Sequence, residues 1–283
     1  MKTILCITDF PLSSEATTNY AFELAQLLSA RLLLFHRQPA PAIVPGVLTH
    51  SQLMTALDDH NETAHKLEAV RQRLTNQNPD RRVTCDIQLK HGAAKETIPV
   101  ILKDDQIVLV VVGMENAQAL TDIFNEPVTA VSITASNCPV LVVPEQATFK
   151  PLQKILFVVN KLGEPYQDVA LVLQLAHLFH TEIYVLHVLP ESDASAAATA
   201  QEEIYPLAAW QTYPHVTYHV LLNNSVEEGI SQFARENRVD MLVVGYHPDH
   251  PWQHLQPRYP SPERGYHTYL PVLFTHYKRH ELP

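Results

Sequence analysis

KTILCITDF at residues 2–10 returns as QKILFVVNK at 153–161. Each is a short apolar run closed by a polar residue, Asp9 in the first and Asn160 in the second, at an offset of 151 residues. The same offset carries RLLLFHRQP (31–39) onto EIYVLHVLP (182–190) and pairs His36 with His187. Three later matches share an offset of 132: HGAAKETI (91–98) with NNSVEEGI (223–230), VLVVVGM (108–114) with DMLVVGY (240–246), and CPVLVVP (138–144) with LPVLFTH (270–276). The second copy is therefore 19 residues shorter between its second and third strands. Self-similarity at this scale marks a duplicated unit. Lys150-Pro151 marks the join, and the expected domains are 1–148 and 149–283.

Within each copy, short apolar runs alternate with helical periodicity. Ala21, Leu24, Ala25 and Leu28 follow the i, i+3, i+4, i+7 spacing of a buried helix face, as do Val169, Val172, Leu173 and Ala176. The expected strands are 4–8, 32–36, 83–89, 108–113 and 140–143, repeated at 155–159, 183–187, 216–222, 240–245 and 272–275. A long helix is expected over 52–76, with a weaker, alanine-rich counterpart over 194–210. Strands that are apolar throughout and separated by helices belong to parallel sheets covered on both faces. Right-handed crossovers then lead to an α/β, doubly wound unit, written twice.

Composition narrows the function. The 283 residues carry 20 basic and 30 acidic side chains, a formal charge of −10, which argues against nucleic acid as a partner. Cys6, Cys85 and Cys138 are too few and too dispersed for a zinc ribbon or a disulfide framework. MKTILCITDF fails as a signal peptide, and no run of ~18 apolar residues is present to span a membrane. A soluble, cytoplasmic chain with no membrane partner is expected.

An acidic residue closing strand one, His-x-x-Pro after strand two, Gly92 before a helix and CPVLVVP closing the unit resemble a tandem universal stress protein. The resemblance implies two five-stranded sheets of order 3-2-1-4-5 that pair through strand five. Such pairing would satisfy both edges within one chain as a pseudo-dimer; a homodimer is the other arrangement the family implies. In members that bind ATP, the loop after strand four reads Gly, two residues, Gly, nine residues, Gly, then Ser or Thr. Laid from Gly113, those positions hold Asn116, Glu126 and Pro127; laid from Gly245, they hold Pro248, Arg258 and Tyr259. Asn116 tolerates left-handed backbone. Glu126 instead sets a carboxylate against a phosphate, a repulsion of ~4 kcal/mol at ~4 Å and a dielectric of ~20. Pro127 has no N–H and suits a helix start. The triphosphate site is expected to be lost, with no cofactor.

Other candidates remain open. Asp9 matches the acidic residue that the resemblance places near adenine and ribose, and it could equally cap a helix, as could Ser13 or Ser14. Arg258 could meet an anion or join a surface or inter-repeat ion pair. His247, His250 and His254, with Asp249 among them, form H-x2-H-x3-H, either a zinc chelate or a solvated loop broken by Pro248 and Pro251. His36 and His187 read as strand-end residues packing in a cleft; with Asp9, Gly113, Asn116, Asn160, Gly245 and Arg258 they are also the candidates for residual ligand binding. Trp252, Tyr259, Tyr266 and Tyr269 would cover the inter-repeat groove or form a partner surface. No Gly-x-Ser-x-Gly elbow, P-loop lysine or His-Glu-x-x-His is present, so catalysis is not expected. The expected function is stress response through an unknown protein partner or small ligand. The alternative is a small-molecule or adenine-nucleotide sensor that keeps a pocket near Asp9 and Asn160.

Overall fold

Every residue of β1 (Thr3–Thr8) is buried, as a strand covered on both faces requires. In the first repeat β1 is joined by β2 (Arg31–Gln38), β3 (Cys85–His91), β4 (Ile107–Met114) and β5 (Val140–Pro144). The second repeat supplies β6 (Lys154–Val159), β7 (Glu182–Leu189), β8 (Val216–Leu222), β9 (Met241–Tyr246) and β10 (Val272–His276). The helices are α1 (Ser14–Leu27), α2 (His50–Asn76), α3 (Ala94–Ile101), α4 (Pro127–Ala135), α5 (Ala170–Phe179) and α6 (Val226–Asn237). The computed structural model describes residues 1–8, 14–38, 50–76, 83–114, 127–159, 169–192, 213–246 and 269–276. The helix expected over 194–210 lies outside the described residues, as does the segment before the last strand.

The ten strands form one sheet in the order β3-β2-β1-β4-β5-β10-β9-β6-β7-β8. Each half reads 3-2-1-4-5, the order the resemblance implies, and its strands pair in parallel. The halves meet where β5 and β10 run antiparallel, with Val142, Leu141 and Val140 opposite Val272, Leu273 and Phe274. Alternation along the strands divides the interior in two. Ile4 and Cys6 pack on the side of α1, α2 and α5, together with Phe157 and Val243 of the second repeat. Leu5 and Ile7 pack on the side of α3, α4 and α6, with Leu156 and Val244. Both layers cross the junction, so the repeats share their cores.

Local signals set the element ends. Ser225 accepts a hydrogen bond from the Glu228 N–H and caps α6, while His180 and Arg238 close α5 and α6 in left-handed backbone. Gly92 (φ +134°) turns the chain between β3 and α3 in a conformation that disfavours side chains. α4 begins at Pro127, as the Glu126-Pro127 pair suggests. β3 starts at Cys85 rather than Val83.

The join is organised by Asp240, just before β9. Its carboxylate accepts from the backbone N–H groups of Gln153 (2.8 Å) and Lys154 (2.9 Å) and pairs with Lys150 Nζ at 2.6 Å. Phe149 stands edge-on to Tyr20 of α1, with centroids 5.0 Å apart, and also meets Phe179 of α5. At the far side of the sheet, His276 Nε2 donates to the Ile133 carbonyl of α4 at 2.8 Å. Burial lowers the pKa of His276, although that hydrogen bond opposes the shift.

Asp240 is 8% exposed and Lys150 61%, so the two partners should contribute unequally. Asp240→Ala orphans two backbone donors and is expected to cost ~2–4 kcal/mol in urea unfolding. Lys150→Ala should cost no more than ~1 kcal/mol; equal losses would contradict this account of the join.

Candidate functional site

In a doubly wound sheet, ligands bind beyond the carboxyl ends of the strands where the order reverses. Here that point lies between β1 and β4, which are neighbours although their connections lead to opposite sides. In the first repeat the described residues around it are Thr8, His36, Gly113, Met114 and the start of α4.

The two histidines are held alike. His36 Nδ1 lies 2.5 Å from the Thr8 carbonyl, and His187 Nδ1 lies 3.0 Å from the Val159 carbonyl. A carbonyl only accepts, so each Nδ1 carries a proton and donates it to the neighbouring strand. With exposures of 8% and 5%, they splice the end of strand two to that of strand one.

Gly113 has a packing reason to be glycine. A Cβ there would stand 2.8 Å from Thr17 Oγ1 of α1, closer than real Cβ contacts come. Thr17 is buried, and its β-branched side chain is stiff. The Gly113 carbonyl accepts from Thr129 Oγ1 at 3.5 Å, and the Met114 carbonyl accepts from the Glu145 N–H at 3.2 Å. Gly245 pairs with buried Thr275 across β9 and β10. Asp9, Asn116, Glu126, Asn160, Arg258, His247, His250 and His254 lie outside the described residues, as do Trp252, Tyr259 and Tyr266.

Two cavities flank the join. One, of about 580 Å³, lies between α1 and residues 145–149 and is lined by Glu15, Asn19, Glu23, Glu145 and Phe149. The other, of about 270 Å³, is lined by Tyr20, Lys150, Asp240 and Tyr269. Tyr269, 45% exposed, thus faces the inter-repeat groove. Arg73 of α2 holds Glu15 at 2.7 Å and also reaches Asn19 and Thr18. Burial pushes the Cys85 thiol up to about 12 and the Cys6 thiol higher still, so neither is a thiolate nucleophile near neutral pH.

Sequence reasoning did not find the Thr17–Gly113 contact, the anchoring by Asp240 or a histidine pair, His60 and His91, in hydrogen-bond contact. For Asp240, a charged residue opening an apolar strand was a usable signal. The other two are long-range contacts with no local signature.

The sequence profile of the Universal stress protein family matches residues 1–144 and 151–255, and the chain belongs to that family. No curated protein sequence matches it. Among solved structures, a universal stress protein from Archaeoglobus fulgidus DSM 4304 superposes with a TM-score of 0.64 at 13% identity, over 98% of each chain. A functionally unknown protein from Pseudomonas aeruginosa PAO1 gives 0.53 at 16% identity, over 97% of this chain and 92% of that one. The cytoplasmic domain of a prokaryotic cation chloride cotransporter gives 0.53 at 12% identity, over 97% and 95%. At these identities the likeness is one of fold, and it spans both repeats. Among the described residues, no helix is long and apolar enough to cross a membrane.

Gly113→Ala should destabilise the protein by ~1–3 kcal/mol through overpacking. Combined with Thr17→Ala, it should cost less than the sum of the two single changes in a double-mutant cycle. Strict additivity would show that Thr17 is not what Gly113 accommodates.

Proposed function

We propose that this universal-stress-type protein has lost the triphosphate cradle in both repeats and acts in the stress response by associating with a protein partner, without ATP hydrolysis or other catalysis. The observation that carries the reading is the start of α4 at Pro127. A helix N-terminus holds phosphate with bare N–H groups, and proline removes one from the first turn. Glu126 adds a negative charge just before it. The clearance at Gly113 is taken up by Thr17, so a glycine at this position needs no phosphate to account for it. In the second repeat, Pro248, Arg258 and Tyr259 stand at the matching positions.

A second reading, binding of a small ligand, is favoured by the cavity of about 580 Å³, a volume usual for small-molecule sites. Glu15, Glu23 and Glu145 on its walls suit a cation better than a nucleotide phosphate. It competes with an adenine-nucleotide sensor built around Asp9 and Asn160.

Thermal melting with ATP separates a lost triphosphate cradle from an adenine-nucleotide sensor. At a concentration one hundred times its Kd, a bound ligand stabilises by ~2.7 kcal/mol, a shift of several degrees. The expected result is no shift at millimolar ATP and no nucleotide released from the purified protein on denaturation. A several-degree shift, or co-purified ATP, would overturn the proposal.

A further inference from the structure

His60 of α2 and His91 at the end of β3 stand face to face. Nδ1 of His60 is 2.9 Å from Nε2 of His91, and the rings lie 26° from parallel with centroids 5.0 Å apart. Beside them is Gln38, the register partner of His91 on β2. Gln38 Nε2 donates to Thr63 Oγ1 at 3.4 Å, and Thr63 donates its own proton to the Asp59 carbonyl at 2.8 Å. Thr63 can therefore only accept from Gln38, which fixes the orientation of the carboxamide. Gln38 Oε1 is left buried with no donor among the described residues. Buried acceptors in native proteins are normally satisfied, so an orphan of this kind points to a missing partner.

We propose that His60 and His91 chelate a first-row transition-metal dication, Cu²⁺ or Ni²⁺, at the carboxyl edge of the first repeat. Metal–imidazole bonds of ~2.0–2.1 Å from two nitrogens 2.9 Å apart subtend ~90° at the ion. That is the cis angle of a square-planar or octahedral shell, whereas a tetrahedral zinc site would want the nitrogens further apart. The two ligands come from different elements, and the packing of α2 over β3 sets their separation. One proton now lies between the facing nitrogens. On binding, the donor ring moves that proton to its other nitrogen, which leaves both facing lone pairs free for the metal. Gln38 Oε1 is a spare oxygen on the same edge. The described residues hold no cluster of three or more histidine, cysteine or carboxylate ligands, so among them the pair is the whole set of nitrogen donors at this edge.

Because the chain has 16 histidines, the test uses tag-free full-length protein and a background of His247→Ala, His250→Ala and His254→Ala. Cu²⁺ and Ni²⁺ are titrated by calorimetry, and the copper complex is read by electron paramagnetic resonance. The expected result is one saturable equivalent in wild type and background alike, with nitrogen hyperfine structure from two imidazoles. Removal of a hydrogen bond behind a ligand already weakens metal binding ~10–100-fold. Either His60→Ala or His91→Ala should therefore weaken it ~100-fold or more, with folding checked by circular dichroism. No saturable binding, or binding unchanged in both single variants, would overturn the proposal and leave the pair as a proton-sharing contact between α2 and β3.

Discussion

The antiparallel seam between β5 and β10 is the constraint on which the rest of the molecule rests. Strand five ends a doubly wound unit, and an open edge at that position invites pairing with other chains. Here each repeat closes the edge of the other, and the six paired side chains, Val140, Leu141, Val142, Val272, Leu273 and Phe274, are all buried. Each such side chain contributes about 1.5–3 kcal/mol when removed from water, so separating the halves would expose a large apolar strip. The edges that remain, β3 and β8, are only partly buried, and β3 carries Asp86 and Lys90. Charged residues on an outer strand discourage further pairing.

Around that seam, the join adds direction. Asp240 ties the incoming chain to the start of β9, Phe149 bridges α1 and α5, and His276 reaches across to α4. These contacts lie on both faces of the sheet, as do the two apolar layers that run through it. The candidate site thus sits on a rigid platform. Its histidines serve the platform, since His36 and His187 are committed to carbonyls of the neighbouring strand.

Much of the fold was legible in the sequence because its signal is periodic and duplicated. Continuously apolar runs such as Val108–Val112 mark central parallel strands, and two constant offsets reveal the repeat. Element ends shifted by one or two residues, as at β3, where Val83 lies before the strand despite its buried side chain. The site was less legible. Pro127 gave away the start of α4 through its missing N–H, but Gly113 looked like the remnant of a phosphate loop when its clearance is filled by Thr17. His60 and His91, 31 positions apart, meet only because α2 crosses β3, and nothing local to either residue signals it.

The most direct measurement is amide hydrogen exchange at residues 140–144 and 272–276. If the seam unites the repeats into one folding unit, these amides will exchange only through global unfolding, with the same free energy as the centres of β1 and β6. Exchange at the seam through a much lower-energy opening, while β1 and β6 stay protected, would mean that the two sheets are independent and the account is wrong.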